Sequence, residues 1–384
     1  MFFFQGLSPG FWTPALSNLF HDLGISAWVP AAFIVGPACA LVSPLIGGAL
    51  ADQRMAADRL FAWSSLAGGI ALWAAFWALE QNLHPVWFLV FFGIYGLASG
   101  PSWGLLAVVS LANMEDGPRR YPLARMGATV GWMAAGFLTS HVLAADGSVV
   151  AGYAGALTKI GVGAMAFLLP RTPPNGIARS WRSRLGLDAF ALFRDADHRV
   201  FFIITLLFSV PLAAFYMYSP ELLRVLGDNT PAATMAFAQV SEMIAMVSLG
   251  WAMTRWRIKT ILLAALGFSV LRFAMSGWAG ETGVRGWHVA GICLHGVCYT
   301  FYFVTAQMYL DRRVATEIRG QAQGLLVLVS GGLGPLVGAG FCGWLHGVLV
   351  TSSGGGWQAF WWILAGWIAL CTIAWMIFYR GGKP

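Results

Sequence analysis

Charge is what this sequence has least of. Asp, Glu, Lys and Arg make up 10% of its 384 residues, against about a quarter in an ordinary soluble domain. A chain so poor in charge cannot dress a soluble surface, which excludes a typical cytosolic enzyme or binding module. Familiar catalytic signatures are missing too. Without a P-loop, HExxH or GxSxG pattern, the sequence supports neither ATP-driven transport nor a familiar hydrolase. The stretch "GGLGPLVGAG" has the wrong glycine spacing for a dinucleotide loop and reads as close helix packing. Cys39, Cys293, Cys298, Cys342 and Cys371 show no metal-ligand spacing, so packing is their expected role and no metal or cofactor is expected. The opening "MFFFQGLSPGFW" has neither a basic flank nor a small-residue cleavage site, so a cleavable signal is not expected.

Apolar residues fill the space that charge leaves. They form 58% of the chain, and the mean hydropathy is +0.69. A bilayer core needs about 20 apolar residues per helix, and stretches of that length recur between short charged or Gly/Pro-rich loops. The pattern predicts an all-α integral membrane protein with about 12 spans. Their approximate ranges are 1–21, 27–51, 59–79, 86–112, 122–144 and 149–170, then 199–222, 232–253, 259–279, 287–310, 320–348 and 356–379. The longest polar stretch, "RTPPNGIARSWRSRLGLDAFALFRDADHR", separates the sixth from the seventh. This divides the chain into a six-helix half at 1–171, a cytoplasmic linker at 172–198 and a second six-helix half at 199–384.

Orientation follows from the basic residues, which accumulate on cytoplasmic loops. Of the 23, Arg125, Lys159 and Arg272 fall within spans, and only Arg224 and Arg285 fall on one set of loops. All others lie on the alternate loops and the tail, so both termini are expected to be cytoplasmic. The net charge of +7 is then a topology signal, and no nucleic-acid-binding patch is visible in it.

Within "TMAFAQVSEMIAMVSLGWAM", Gln239 and Glu242 interrupt an apolar run, and Glu242 is the acid placed deepest in any predicted span. Insertion of a charged residue at a helix centre costs about 2.5–3.5 kcal/mol, so such residues usually face a cavity and mark a pathway. At i, i+3 the two share a helix face, where the competing reading is a packing pair that satisfies itself. Arg125, Thr129 and Trp132 at i, i+4, i+7 make a second polar and aromatic stripe. His295 and Tyr299 make a third, with Tyr302 one turn on. Lys159 is a basic residue in a span that could snorkel, and Arg272 could snorkel or be an ion-pair partner.

Several stretches carry a family resemblance. "GALAD", with Gly48 and Asp52 as its conformational residues, resembles the loop signature of the major facilitator superfamily. Gly250 in "GWAMTRWR" is a degenerate second copy. "FFQ" with Gly10 and Trp12, "ARMGATVGW", "LGLDAFALF", "AQVSEM", "VLRFAM" and "IRGQAQG" resemble, in order, the nucleoside:H+ symporter family of that superfamily. The resemblance implies a monomer in the cell inner membrane that imports nucleosides by proton symport. Alternating access would come from rocking of the halves around a midplane site. It implies substrate contacts for Arg125, Thr129, Gln239 and Glu242, with Trp132 and Tyr299 as aromatics at aromatic positions.

This chain departs from the characterised pattern at four positions. Ala213 and Tyr216 stand where that pattern has Gln and Asn, and His295 and Thr300 where it has Tyr and Asp. Tyr216 and His295 join the expected substrate-binding set, and Glu242 and His295 are what remain to titrate. A facilitator for another small polar solute, uncoupled or coupled differently, is the alternative. A transporter-fold receptor or membrane enzyme is a more remote one. The family places a short polar lead before its first span, so an upstream start is expected here.

Overall fold

The computed structural model describes residues 1–43, 47, 50–51, 54–115, 117–174, 187–315, 318–351 and 354–381. Gly48 and Asp52 lie outside them. All regular structure among the described residues is helical, and it gathers into two compact units. One comprises Met1–Arg184 with Thr230–Ala236, the other Leu185–Asn229 with Phe237–Pro384.

In the first unit, α1 (Phe2–Trp12), α2 (Leu16–Asp22), α3 (Val29–Ala40), α4 (Ala57–Glu80), α5 (Pro85–Ser99), α6 (Ser102–Asn113), α7 (Gly117–Phe137) and α8 (Val149–Ala166) follow in order. The second contains α9 (Ala196–Val225), then, after the short α10 (Pro231–Met235) that groups with the first unit, α11 (Phe237–Arg255), α12 (Ile258–Thr282) and α13 (Arg285–Tyr299). It closes with α14 (Thr305–Arg313), α15 (Arg319–Val327), α16 (Gly334–Leu349) and α17 (Trp357–Phe378). Wider π-helical turns at Leu138–Val142, Thr300–Val304 and Leu328–Leu333 lie within the longer helical runs.

Every predicted span contains helix. Among the described residues, 9 helical runs are long and apolar enough to cross a membrane, namely predicted spans three, four and six to twelve. The first span is divided around Thr13 and Pro14, and the second retains only Ser26–Ala40 as a shorter apolar helix. The fifth starts at Gly117, earlier than expected, and so takes in Arg119 and Arg120 as well. The figure of twelve spans therefore rests on the sequence pattern. The predicted linker also holds structure: Leu187–Arg194 is a 3-10 helix whose Ala189 is buried and whose Phe193 ring lies 5.3 Å from that of Phe202 on α9. Asp195 then caps α9, accepting the His198 backbone N–H at 2.9 Å, and that bond holds its carboxyl below the usual carboxylate range.

Several backbone and side-chain groups inside these units find partners on neighbouring segments, as hydrocarbon surroundings favour. Pro211 in α9 has no N–H to give the Leu207 carbonyl, and the Trp367 indole Nε1 donates to that oxygen at 2.9 Å instead. The backbone N–H groups of Ala232 and Ala233, unpaired at the start of α10, are met by Asp146 Oδ1 at 2.7 Å and Ser140 Oγ at 3.0 Å. Ser140 in turn donates to Asp146 Oδ1 at 3.0 Å.

In the first unit, α1 lies against α7 and α8, and α8 against α4. A side chain at Gly155 would come within 2.7 Å of the Ser8 carbonyl, and the Ser8 hydroxyl donates to the Gly155 carbonyl at 2.8 Å. One turn away, Lys159 is 2% exposed and donates to Gln5 Oε1 at 3.0 Å and Ser102 Oγ at 3.3 Å. It does not snorkel. It is an interior amine held by neutral oxygens from α1 and α6.

Removing one of those oxygens should leave the buried amine short of a partner, which costs about 1–3 kcal/mol. Gln5→Leu is expected to lower the thermal midpoint of purified protein, read by tryptophan fluorescence. Gln5→Leu combined with Lys159→Met should recover most of the loss, since an apolar replacement of both partners is often nearly neutral. A double variant as unstable as the sum of the single ones would contradict this account.

Candidate functional site

The second unit brings several of the expected residues together. Helices α12 and α13 form an antiparallel hairpin turned at Gly283, whose φ of +71° favours glycine. Arg272 and His295 stand nearly equidistant from that turn and meet inside it. The Arg272 guanidinium donates to His295 Nδ1, and both residues are 3% exposed. On the other side of the imidazole, Nε2 lies 3.5 Å from the Tyr216 hydroxyl of α9. The Phe215 ring stacks on the imidazole at 4.0 Å and 11°, and the guanidinium sits 4.7 Å from the Phe215 centroid and 4.6 Å from that of Phe273. Two cation–π contacts and an imidazole thus solvate this arginine, and among the described residues no carboxylate lies within ion-pair distance of it. That answers the ion-pair expectation for Arg272: its partner is aromatic nitrogen.

Glu242 and Gln239 reach the same neighbourhood through α11. Gly296, next to His295, allows the α11 and α13 backbones to touch: a side chain there would collide with the Glu242 N–H, the Ala238 carbonyl and the Ser241 hydroxyl. Gln239 is 6% exposed and Glu242 half-buried. Tyr216 interacts electrostatically with Tyr299, Glu242 and Arg272, which places all four in one polar neighbourhood. Tyr299 is 40% exposed, with its ring 6.0 Å from the His295 ring and 5.0 Å from that of Phe303.

Tyr302 is a different case. It is fully buried, with its hydroxyl 3.1 Å from Thr205 Oγ1 and its ring 4.5 Å from Phe208. The π-helical turn at Thr300–Val304 advances each side chain by less than an α-helical step, which takes Tyr302 off the stripe of His295 and Tyr299. Thr300, at the position of the missing carboxylate, is fully buried, and its hydroxyl has no hydrogen-bond partner among the described residues.

In the first unit, Arg125, Thr129 and Trp132 share one face of α7. Arg125 is exposed, and Thr129 and Trp132 are half-buried. Trp132 is held from behind by α1, where a side chain at Gly10 would come within 2.9 Å of the Trp132 Cα. Sequence reasoning missed Phe215 and Gly296. The glycine had a faint signal, since a small residue within "LHGVCY" interrupts bulky neighbours on a span that carries polar residues.

Two apolar helical units with buried polar clusters are the build of a multi-pass membrane protein. Solved structures agree on the architecture. A mutant of the nucleoside transporter NupG matches with a TM-score of 0.90 at 24% identity, covering 99% of this chain and 98% of that one. A D-xylose-proton symporter matches with a TM-score of 0.73 at 16% identity, covering 100% and 98%. The fold is that of the major facilitator transporters. The family profile described as "Nucleoside H+ symporter" matches residues 1–383. The putative nucleoside transporter YegT of Escherichia coli (strain K12) is 32% identical over 361 residues, 89% of this chain and 83% of that protein. The nucleoside permease NupG of the same organism is 24% identical over 365 residues, 89% and 84%. The chain belongs to the nucleoside H+ symporter family.

The α11–α13 contact gives a direct test. Gly296→Ala should destabilise the second unit by about 1–3 kcal/mol through overpacking. Gly267→Ala, on α12 with nothing within 4 Å of the added methyl, should be neutral or slightly stabilising. Thermal unfolding in detergent reads both, and equal midpoints for the two variants would remove the close-approach role of Gly296.

Proposed function

We propose that this chain imports nucleosides together with protons by alternating access, with Glu242 as the carboxylate that takes up and releases the coupled proton. The observation that carries the reading is Glu242 itself: an acid set in a transmembrane helix, within a polar cluster of aromatic hydroxyls, in a chain matched from end to end by a symporter family. The buried carboxylates Asp58, Asp146, Asp197 and Asp228 sit at helix ends or in connections, where Asp58, Asp146 and Asp197 accept from backbone N–H groups.

The proposed substrate contacts are Arg125, Thr129 and Trp132 from the first unit and Tyr216, Gln239, Glu242, His295 and Tyr299 from the second. Their chemistry suits a nucleoside, whose flat base can stack on Trp132 or Tyr299 and whose ribose hydroxyls can pair with amide, hydroxyl and carboxylate groups. We further propose two six-span halves joined by the linker, with both termini cytoplasmic, from the placement of the basic residues. An uncoupled facilitator is the second reading, favoured by Thr300 standing where a second acid would be.

Uptake of radiolabelled nucleoside into proteoliposomes, with and without an imposed pH gradient, separates the two. Accumulation above equilibrium only with the gradient is expected, and equilibration alone under both conditions would favour the facilitator. Glu242→Gln should abolish gradient-driven accumulation and leave exchange of substrate, because it keeps the shape and removes the titrating group. Full accumulation in this variant would move coupling elsewhere.

Calorimetry tests the aromatic contacts. Trp132→Ala and Tyr299→Ala should each weaken nucleoside binding by roughly tenfold, within the 1–3 kcal/mol scale of base stacking. Tyr299→Phe should keep most of the affinity. Parental binding by Tyr299→Ala would make that ring a packing element.

A further inference from the structure

We infer that Arg272 is a positioning residue that fixes His295 as the neutral tautomer with its hydrogen on Nε2, making the imidazole a standing donor toward the Tyr216 hydroxyl and excluding it from carrying the coupled proton. The inference deepens the transport reading above and rests on it only for the functional consequence.

The argument is one of donors and acceptors. A guanidinium has five N–H donors, no acceptor, and keeps its charge in proteins. Its contact with His295 Nδ1 therefore requires a lone pair on that nitrogen. An imidazolium carries hydrogen on both nitrogens, so protonation would set N–H against N–H and a second positive charge beside the first, at a place where both side chains are 3% exposed. With Nδ1 occupied as an acceptor, the neutral ring carries its hydrogen on Nε2, which faces Tyr216 at 3.5 Å.

The ring has little freedom to escape this arrangement. Phe215 covers one face at 4.0 Å, and the same Phe215, with Phe273, holds the guanidinium from its own side. A ring flip would present a hydrogen to the guanidinium or break the stack. Among the groups around His295, Arg272 comes from α12, Tyr216 from α9, Tyr299 from α13 itself and Glu242 from α11. Of these, Glu242 is the carboxylate, and the imidazole of His295 itself contacts Arg272, Phe215, Tyr216 and Tyr299. His295 was one of two groups the sequence left available to titrate. The geometry assigns it to substrate recognition and leaves the proton to Glu242.

The test reads the ring directly. Full-length protein labelled with 15N-histidine, reconstituted in nanodiscs, is examined by NMR between pH 5 and 8, with the His295 signals assigned by their loss in His295→Asn. A bare Nδ1 and a hydrogen-bearing Nε2 across the whole range are expected. Titration of that ring in the parent, or hydrogen on Nδ1, overturns the inference. In Arg272→Gln, which removes the cation and keeps a polar side chain, the ring should become titratable. Should that variant fail to fold, the parental spectrum still decides.

Transport supplies a second readout. His295→Gln should raise KM for nucleoside by about fivefold to tenfold, while the gradient-driven accumulation ratio at saturating nucleoside keeps its pH dependence. Loss of gradient-driven accumulation with exchange preserved, the signature expected of Glu242→Gln, would show that His295 carries the proton. Absence of nucleoside uptake by the parent would reject the proposed function, and the ring measurement would still accept or reject the tautomer.

Discussion

Inside hydrocarbon a polar group has no water to fall back on, so each must find its partner on a neighbouring helix. Lys159, Arg272 and the proline-freed carbonyl of Leu207 all obey this constraint, each in a different currency: neutral oxygens, an imidazole with aromatic faces, and an indole N–H. None of the three uses an ion pair. The pattern has an energetic rationale, because two desolvated opposite charges need near-ideal geometry to recover what their hydration was worth. Neutral acceptors and ring faces demand less.

That economy bears on the acid that matters most. With Arg272 turned to His295, its charge is satisfied without a carboxylate, and Glu242 stands in the same polar neighbourhood without being locked in a direct pair with it. A carboxylate clamped by a guanidinium would be a poor proton carrier, since the clamp favours one protonation state at every stage. On the proposed reading, the imidazole that solvates the arginine spares Glu242 from being that arginine's counter-ion.

Helical class, most spans and the polar positions were legible from the chain, because a lone Glu or Lys in an apolar run is conspicuous whatever it contacts. What those side chains touch was not. Lys159 reads equally as a snorkelling residue until α1 and α6 are placed beside it. Arg272 reads as half of an ion pair, and only the hairpin about Gly283 brings it to an imidazole instead. That meeting had a signal, since residues equidistant from a tight turn face each other across an antiparallel helix pair. Tyr302 failed for another reason: heptad-like spacing assumes α-helical steps, and nothing in "CYTFYFV" announces the π-helical turn that carries it into the core.

Three of the four departures from the family pattern can now be taken as one change. Losing two amides from span seven removes groups with a fixed division between donor and acceptor, whereas a tyrosine hydroxyl can act as either. Held by a standing donor on His295, the Tyr216 oxygen accepts there and directs its own hydrogen onward. Thr300 is a separate case: it is fully buried with no hydrogen-bond partner for its hydroxyl among the described residues, and a carboxylate there would cost far more to bury than a hydroxyl. His295 supplies the arginine's contact, and Thr300 spares its own buried position a charge.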